Sequence, residues 1–406
     1  MTAAHPLPQA WISAGPTGAQ NYDEFADDAE ITAVIEANPQ SALAIEMPHK
    51  APGMEGATFA ESLPRAKARL DQAQHDGVYE QDEDIVAAYQ ITALDGTVSR
   101  GVFAMVDTAE ISTHSGEPGR VIRNEDVFIA KVRERVALIE ATQHLLSAVL
   151  LVQTERATEL EDLLLRVCDD SEDPDVVDHD PAGRRHEVWV IADQRLAQQV
   201  CDLAGGGELV VADGNHRSLA AQQAGLPRFL AVITTASALS LRPYHRLLRE
   251  WPERLGEFPS ALCAVGAEVA PLEGQFRTPH VSATVHVYVC GQGYAVRLPG
   301  AVGSSSAGGS SLDVASMDHA LVEQVLIRTV LGWDPADPRI SYVGGDYSDA
   351  WLKGEVDAGR AAVAIAIAPV SVPDFVSVNV NRSAMPRKST WFVPKARAGL
   401  VVASLR

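Results

Sequence analysis

Basic residues are scarce in this chain: 33 lysines and arginines stand against 54 aspartates and glutamates, a formal net charge of -21 over 406 residues. That balance excludes a general nucleic-acid surface and a general anionic-membrane surface, since both need an excess of cations. Cysteines are also few, and Cys168, Cys201, Cys263 and Cys290 stand far apart with no CxxC spacing. A thiolate zinc site is thereby excluded, and free thiols in a reducing compartment are expected. No stretch approaches the run of about 18 apolar residues that a membrane span needs. The opening Met1-Thr2-Ala3-Ala4-His5-Pro6 has no charged segment leading into an apolar one. The expectation is a cytoplasmic protein with neither nucleic-acid nor membrane partners. Internal repeats are absent, and the acidic run Asp169–Asp175 lacks the alternating ligands and glycine of a calcium loop, so it reads as a solvated connection.

What is present is an ordinary globular composition, 46% hydrophobic and 21% charged, with strand and helix signals mixed along the whole length. Helices are expected through Ile31, Val34 and Ile35, over 58–76, after Asp126, over 158–167, over 193–203 and over 317–330. Strands are expected at 42–47, 148–152, 228–234, 284–290 and 361–367, with hairpins joining 85–91 to 100–106 and 176–178 to 185–191. The glycine- and serine-rich segment Gly303–Ser311 reads as a lid or surface loop. The class is α+β, or mixed α/β, in three regions: 1–110, 111–250 and 251–406.

The stretch Glu208–Gly225 organises the rest. Leu209, Val210 and Val211 form a β-prone run that ends at Asp213-Gly214; Leu219, Ala220 and Ala224 then share one face of a short helix closed by Gly225. The turn crowds Asp213, Asn215, His216 and Arg217 onto a helix N-terminus, whose free N–H groups favour an anion. Asn124 and Glu125 precede another helix, where Glu125 could cap or act as a general base. That helix carries Lys131, Arg133 and Arg135, either a solvated face or an anion site. His245 and Arg246 make a second His-Arg pair at a loop or strand edge, with a core histidine as the alternative. Arg387, Lys388, Ser389, Thr390 and Lys395 gather three cations and two hydroxyls beside Trp391 and Phe392. This patch reads either as an anion site or as a set of surface salt bridges.

Taken in order, Asn21-Tyr22-Asp23, Arg123-Asn124-Glu125, Asp213-Gly214-Asn215-His216-Arg217, Pro243-Tyr244-His245-Arg246, Leu312-Asp313-Val314 and Met385–Lys395 resemble the bacterial and archaeal family known as domain of unknown function 1015. The Asp-Gly-x-His-Arg turn also resembles that of the ParB/sulfiredoxin-like fold, in which free serine kinases use a similar turn at a phosphoryl-transfer site. The resemblance implies a ParB/sulfiredoxin-like core with a further α+β region after it. It also implies an ATP- or ADP-dependent kinase of free serine or a similar amino acid, with Mg²⁺. In that scheme Glu125 is the base and Asp213 holds the metal or orients His216. His216 and Arg217 hold the phosphoryl group. Asn124, Lys131, Asn215, His245, Arg246, Arg387, Lys388, Ser389, Thr390 and Lys395 bind phosphate or substrate. Family members commonly carry histidine where this chain has Asn124 and Asn215, and an amide cannot titrate near neutral pH. A phosphatase of a phospho-amino acid and a non-catalytic nucleotide-binding regulator are the alternatives.

Overall fold

A computed structural model describes residues 2–112, 119–125, 127–170, 173–301 and 313–405. Gly303–Ser311 and Leu312 lie outside the described residues, as do Asp126 and the Ser171-Glu172 portion of the acidic run. The chain is mixed α/β, as its pattern predicts, and divides into two compact units. Unit 1 comprises 1–240 with 394–406, and unit 2 comprises 241–393. The divisions expected near 110 and 250 differ from this. Strand Val98–Asp107 pairs antiparallel with Arg228–Thr235, so the first two expected regions share one sheet and no boundary falls at 110.

Unit 1 is built on a mixed sheet. From one side, its order runs Ile111–Ser112, Val121–Ile122, Leu209–Asp213, Val149–Gln153, Arg228–Thr235, Val98–Asp107, Tyr79–Thr92, Leu7–Ser13, Val401–Ser404 and His144–Leu145. Val149–Gln153 is buried at all five positions, which is why it reads as a continuous apolar run rather than an alternating one. It lies parallel to Arg228–Thr235 and antiparallel to Leu209–Asp213. Leu151, Val211 and Ile233 pack with Leu160 and Leu164 of helix Ala157–Asp170 and Val200 of helix Gln194–Ala204. A second core gathers Ile31 and Ile35, Leu43, Phe59 and Leu70 around Tyr79. Helix Phe59–His75 starts where Thr58 and Glu61 cap each other's backbone reciprocally.

The expected strand at 42–47 is instead the short helix Leu43–Glu46, buried at all four positions. A short run that is apolar on every side has no period to separate strand from helix.

Unit 2 centres on an antiparallel sheet ordered Glu268–Pro271, Gln292–Arg297, Val285–Val289, Val363–Ala366, Tyr244–Leu248 and Ile340–Gly344. Val287, Val363, Ile365 and Leu248 face Val322, Leu326 and Ile327 of the segment that follows helix Asp318–Leu321. The expected loop or strand edge at His245-Arg246 is interior strand, buried throughout, with a neighbour on each side. Two polar side chains in sequence suggested solvent, but the protein itself satisfies them. Among the described residues no helix is long and apolar enough to cross a membrane.

Candidate functional site

Strand Leu209–Asp213 pairs regularly with Val149–Gln153 until the register shifts between Val211 and Asp213. A bulge of this kind turns a side chain out of the alternation, and here it falls immediately before Asp213. Gly214 follows at φ 97 as the N-cap of helix Asn215–Gln223. That left-handed value suits glycine, and a Cβ there would meet the Arg217 guanidinium at 3.0 Å. Strand, bulge, glycine and helix thus bring Asp213 and Arg217 together across one helical turn.

Asp213 is gripped on both oxygens. Arg217 Nη2 donates to Oδ2, and Lys395 Nζ donates to Oδ1 at 3.0 Å. Burial pushes the Asp213 carboxyl up, but the charges of Lys395 and Arg217 outweigh it and hold the group below the usual carboxylate range. Arg217 is buried, and its Nη1 also donates to Asn21 Oδ1 at 3.0 Å and to the Ala148 carbonyl at 2.8 Å. Its hydrogen bonds therefore join four segments of unit 1, and Arg217 holds the corner together. Asp213 does not fit the Mg²⁺ expected there, because both oxygens already face cations. Among the described residues no group of three or more His, Cys, Asp or Glu side chains is arranged to hold a metal ion.

His216 is buried, and its Nε2 accepts from the Phe128 N–H at 3.0 Å while its ring stacks on that of Phe128 at 6.0 Å. An accepting Nε2 places the proton of the neutral ring on Nδ1, and the imidazole anchors the segment leading into helix Ile129–Thr142. In the same segment Asn124 is 0% exposed, and its Oδ1 accepts from Asn215 Nδ2 at 2.5 Å; Asn215 is 5% exposed. The two departures from the family's common residues are thus the two ends of one hydrogen bond. Asn124 Nδ2 and Asn215 Oδ1 remain buried without a partner. Glu125 is half-buried beside this pair in sequence.

Glu24 was not singled out from the sequence. It is half-buried, and its Oε1 accepts from the Asn21 N–H at 2.9 Å. Burial pushes its carboxyl up to about 7, with Lys395 pulling down and Asp213 pushing up. Asp23, whose charge acts on both Asp213 and Arg217, completes the acidic side. The signal that could have found Glu24 is its place directly after Asn21-Tyr22-Asp23, a motif quoted only for resemblance. Behind the corner, Glu46, Arg135, Ser147 and Arg217 line a small cavity of about 40 Å³. Glu46 Oε1 accepts from Ser147 Oγ at 2.5 Å, and the Arg135 guanidinium lies 4.1 Å from the centre of the Tyr22 ring.

The remaining expected site residues divide between the two units. Lys131 is exposed on helix Ile129–Thr142 and Arg135 is buried, so the cations of that helix do not form one group. His245, Arg246 and Arg387 to Thr390 belong to unit 2, whereas Lys395 belongs to unit 1. Arg246 is buried, and its guanidinium donates to the carbonyls of His245 (3.1 Å), Lys388 (3.0 Å) and Arg387 (3.0 Å). His245 Nδ1 accepts from the Ile367 N–H at 3.2 Å, and burial holds its ring near 4, hence neutral. Lys388 Nζ lies 5.5 Å from the centre of the Tyr244 ring, Ser389 is buried and Thr390 is half-buried.

Among solved structures the chain is similar to a conserved hypothetical protein from Pyrococcus furiosus, at 13% identity and a TM-score of 0.39 over 74% of this chain and 95% of that one. It is similar to free serine kinase in complex with AMP, at 11% identity and a TM-score of 0.40 over 74% and 92%. The third is SbnI with a C-terminal truncation from Staphylococcus aureus, at 10% identity and 0.39 over 73% and 87%. Likeness at this level assigns no ligand or reaction. No curated protein matches the chain. The family model described as protein of unknown function DUF1015 matches residues 13–315, and the chain belongs to that family.

Proposed function

We propose that the Asp213 corner is a phosphoryl-transfer site for a small hydroxyl compound, with ATP or ADP as donor and free serine or a similar amino acid as acceptor. The observation that carries this reading is Glu24 set against Lys395 and Asp213 beside a glycine-capped helix N-terminus. A carboxyl held near 7 is a base of suitable strength at neutral pH. The first N–H groups of the helix and the Lys395 ammonium suit the charge of a transferring phosphoryl group.

In this scheme Glu24 removes the acceptor's hydroxyl proton, and the oxygen bonds to the terminal phosphorus. The bond from that phosphorus to the bridging oxygen breaks, and the nucleotide leaves one phosphate shorter. Glu24 takes the role that the sequence alone gave to Glu125, and Glu125 is the second candidate for the proton. Arg217 and His216 position the corner, because their polar atoms are engaged within the protein. Any magnesium arrives with the nucleotide phosphates, which need few protein ligands for it.

One observation favours a nucleotide-binding regulator: the Asn124–Asn215 pair stands where imidazoles are common and cannot carry a proton through the reaction. The test is phosphorus NMR on purified protein with ATP or ADP and a panel of hydroxy amino acids. A phosphorylated amino acid that depends on Glu24 supports the kinase. Nucleotide binding without turnover supports the regulator, and phosphate release from a phospho-amino acid without nucleotide supports a phosphatase. The reading fails if the wild type neither turns over nor binds nucleotide.

A further inference from the structure

Unit 1 holds a buried ion pair that the proposed reaction does not use. Arg397 Nε lies 3.2 Å from Asp178 Oδ2, and the two side chains are 9% and 6% exposed. Asp178 stands on strand Val176–His179, which pairs antiparallel with Arg185–Ile191. Arg397 is two residues from Lys395, in the segment that returns to unit 1 at Pro394.

Further contacts fix that segment. Arg397 Nη2 donates to the Gly18 carbonyl. The Arg397 N–H donates to Tyr89 Oη at 3.3 Å, and that oxygen lies 2.6 Å from His186 Nδ1. Ala398 and Ala19 exchange both backbone hydrogen bonds, at 2.9 and 3.0 Å, and Asn21 Nδ2 donates to the Ala396 carbonyl at 3.3 Å. Segments 18–21 and 396–398 therefore run antiparallel side by side; the first leads into Glu24 and the second follows Lys395. Gly18 is required where the ion pair crosses it, because a Cβ there would overlap Asp178 Oδ2 and come within 2.9 Å of Arg397 Nε.

A buried ion pair adds little net stability, because losing water costs the charges about what their attraction returns. The effect of this pair is geometric. A guanidinium holds several partners at fixed angles in one plane, and here they are the carboxylate of a hairpin and the carbonyl of residue 18. We propose that Arg397 is a positioning residue of the Asp213 corner: anchored on Asp178 and the Gly18 carbonyl, it sets the Lys395 segment against the Glu24 segment. Three charges act on Glu24, namely Lys395 from the C-terminal segment, Asp213 from the sheet and Asp23 beside it, and of these Lys395 alone favours the ionised form. Freeing the Lys395 segment therefore makes the base harder to ionise. The proposal rests on the phosphoryl-transfer reading for the role of Glu24, whereas the anchoring itself is measured without turnover.

The test is NMR titration of the Glu24 carboxyl carbon in the full chain, wild type and Arg397→Gln, with the pH profile of phosphoryl transfer alongside. Expected in Arg397→Gln is a Glu24 midpoint higher by about one pH unit. From a wild-type midpoint of about 7, the transfer rate should fall about fivefold at neutral pH and recover at alkaline pH. A merely structural role would lower the rate at every pH. Gly18→Ala, which removes no charge, should move the midpoint the same way and serves if Arg397→Gln fails to fold. In the wild type the Arg397 Nε–H should exchange slowly with water, a check that needs no variant. Three results would each overturn the proposal: an unchanged Glu24 midpoint in a folded variant, an equal rate loss at every pH, or a freely exchanging Arg397 Nε–H. If the wild type transfers no phosphoryl group, the kinase reading fails, and the Glu24 titration still decides the anchoring.

Discussion

The chain has two buried histidine-arginine pairs, and they serve different ends. Arg217 joins a carboxylate, an amide and a carbonyl in unit 1, while Arg246 gathers backbone carbonyls in unit 2. His216 accepts from the N–H of Phe128, and His245 from that of Ile367, just past the neighbouring strand Val363–Ala366. The same dipeptide therefore builds a charged corner in one place and stitches a loop to a sheet in the other. What differs is the partner, and a partner is a property of the fold.

The largest expected effects come from removing the arginines. Arg217→Met should destabilise unit 1 by about 3–5 kcal/mol, because Asp213 loses a buried ion pair. Arg246→Met should cost about 3 kcal/mol or more by stranding several buried carbonyls. Hydrogen exchange read separately over 1–240 and 241–393 would check the comparison, which breaks if either variant loosens the other unit instead.

Next is Glu24→Gln, expected to lower phosphoryl transfer by about 10²–10⁴-fold without lowering the unfolding midpoint at neutral pH. Because the base works ionised and its carboxyl is raised from 4.5 to about 7, the wild-type rate should climb with pH through about 7 and then level. The stability contribution has the opposite slope. The folded state holds this proton more tightly, so stability from Glu24 falls as pH rises between 4.5 and about 7. A flat rate profile across that range would remove Glu24 from the base role.

Gly214→Ala forces a left-handed alanine against Arg217 and should cost about 1–3 kcal/mol by urea denaturation. The smallest effect is a double-mutant cycle on Asn124→Ala and Asn215→Ala, expected to give a coupling of about 0.5–1.5 kcal/mol. A coupling near zero would mean that the pair is not a working hydrogen bond.

Much of the fold was legible because its elements carry local signals. The amphipathic helix expected over 58–76, the Asp95-Gly96 hairpin and the apolar run at 148–152 each announce themselves within a few residues. The Asp213–Arg217 turn was legible for the same reason. The setting of Glu24 was not, because it arises from Lys395 and Asp213, which are far away in sequence. Nor was the position of Arg246, since a buried guanidinium capped by carbonyls has the same letters as an exposed one. The division into units escaped notice because unit 1 is discontinuous, and no composition change marks a strand that returns to a sheet begun at the other end.

That return has a consequence in time. Asp213 and Arg217 leave the ribosome long before Lys395, and all of unit 2 intervenes between Ser240 and Pro394. Until the 394–406 segment arrives and Val401–Ser404 joins Leu7–Ser13, Asp213 lacks one of its two cations, and Glu24 lacks the ammonium that tempers it. The corner is therefore incomplete in a growing chain and is finished by a late-arriving segment.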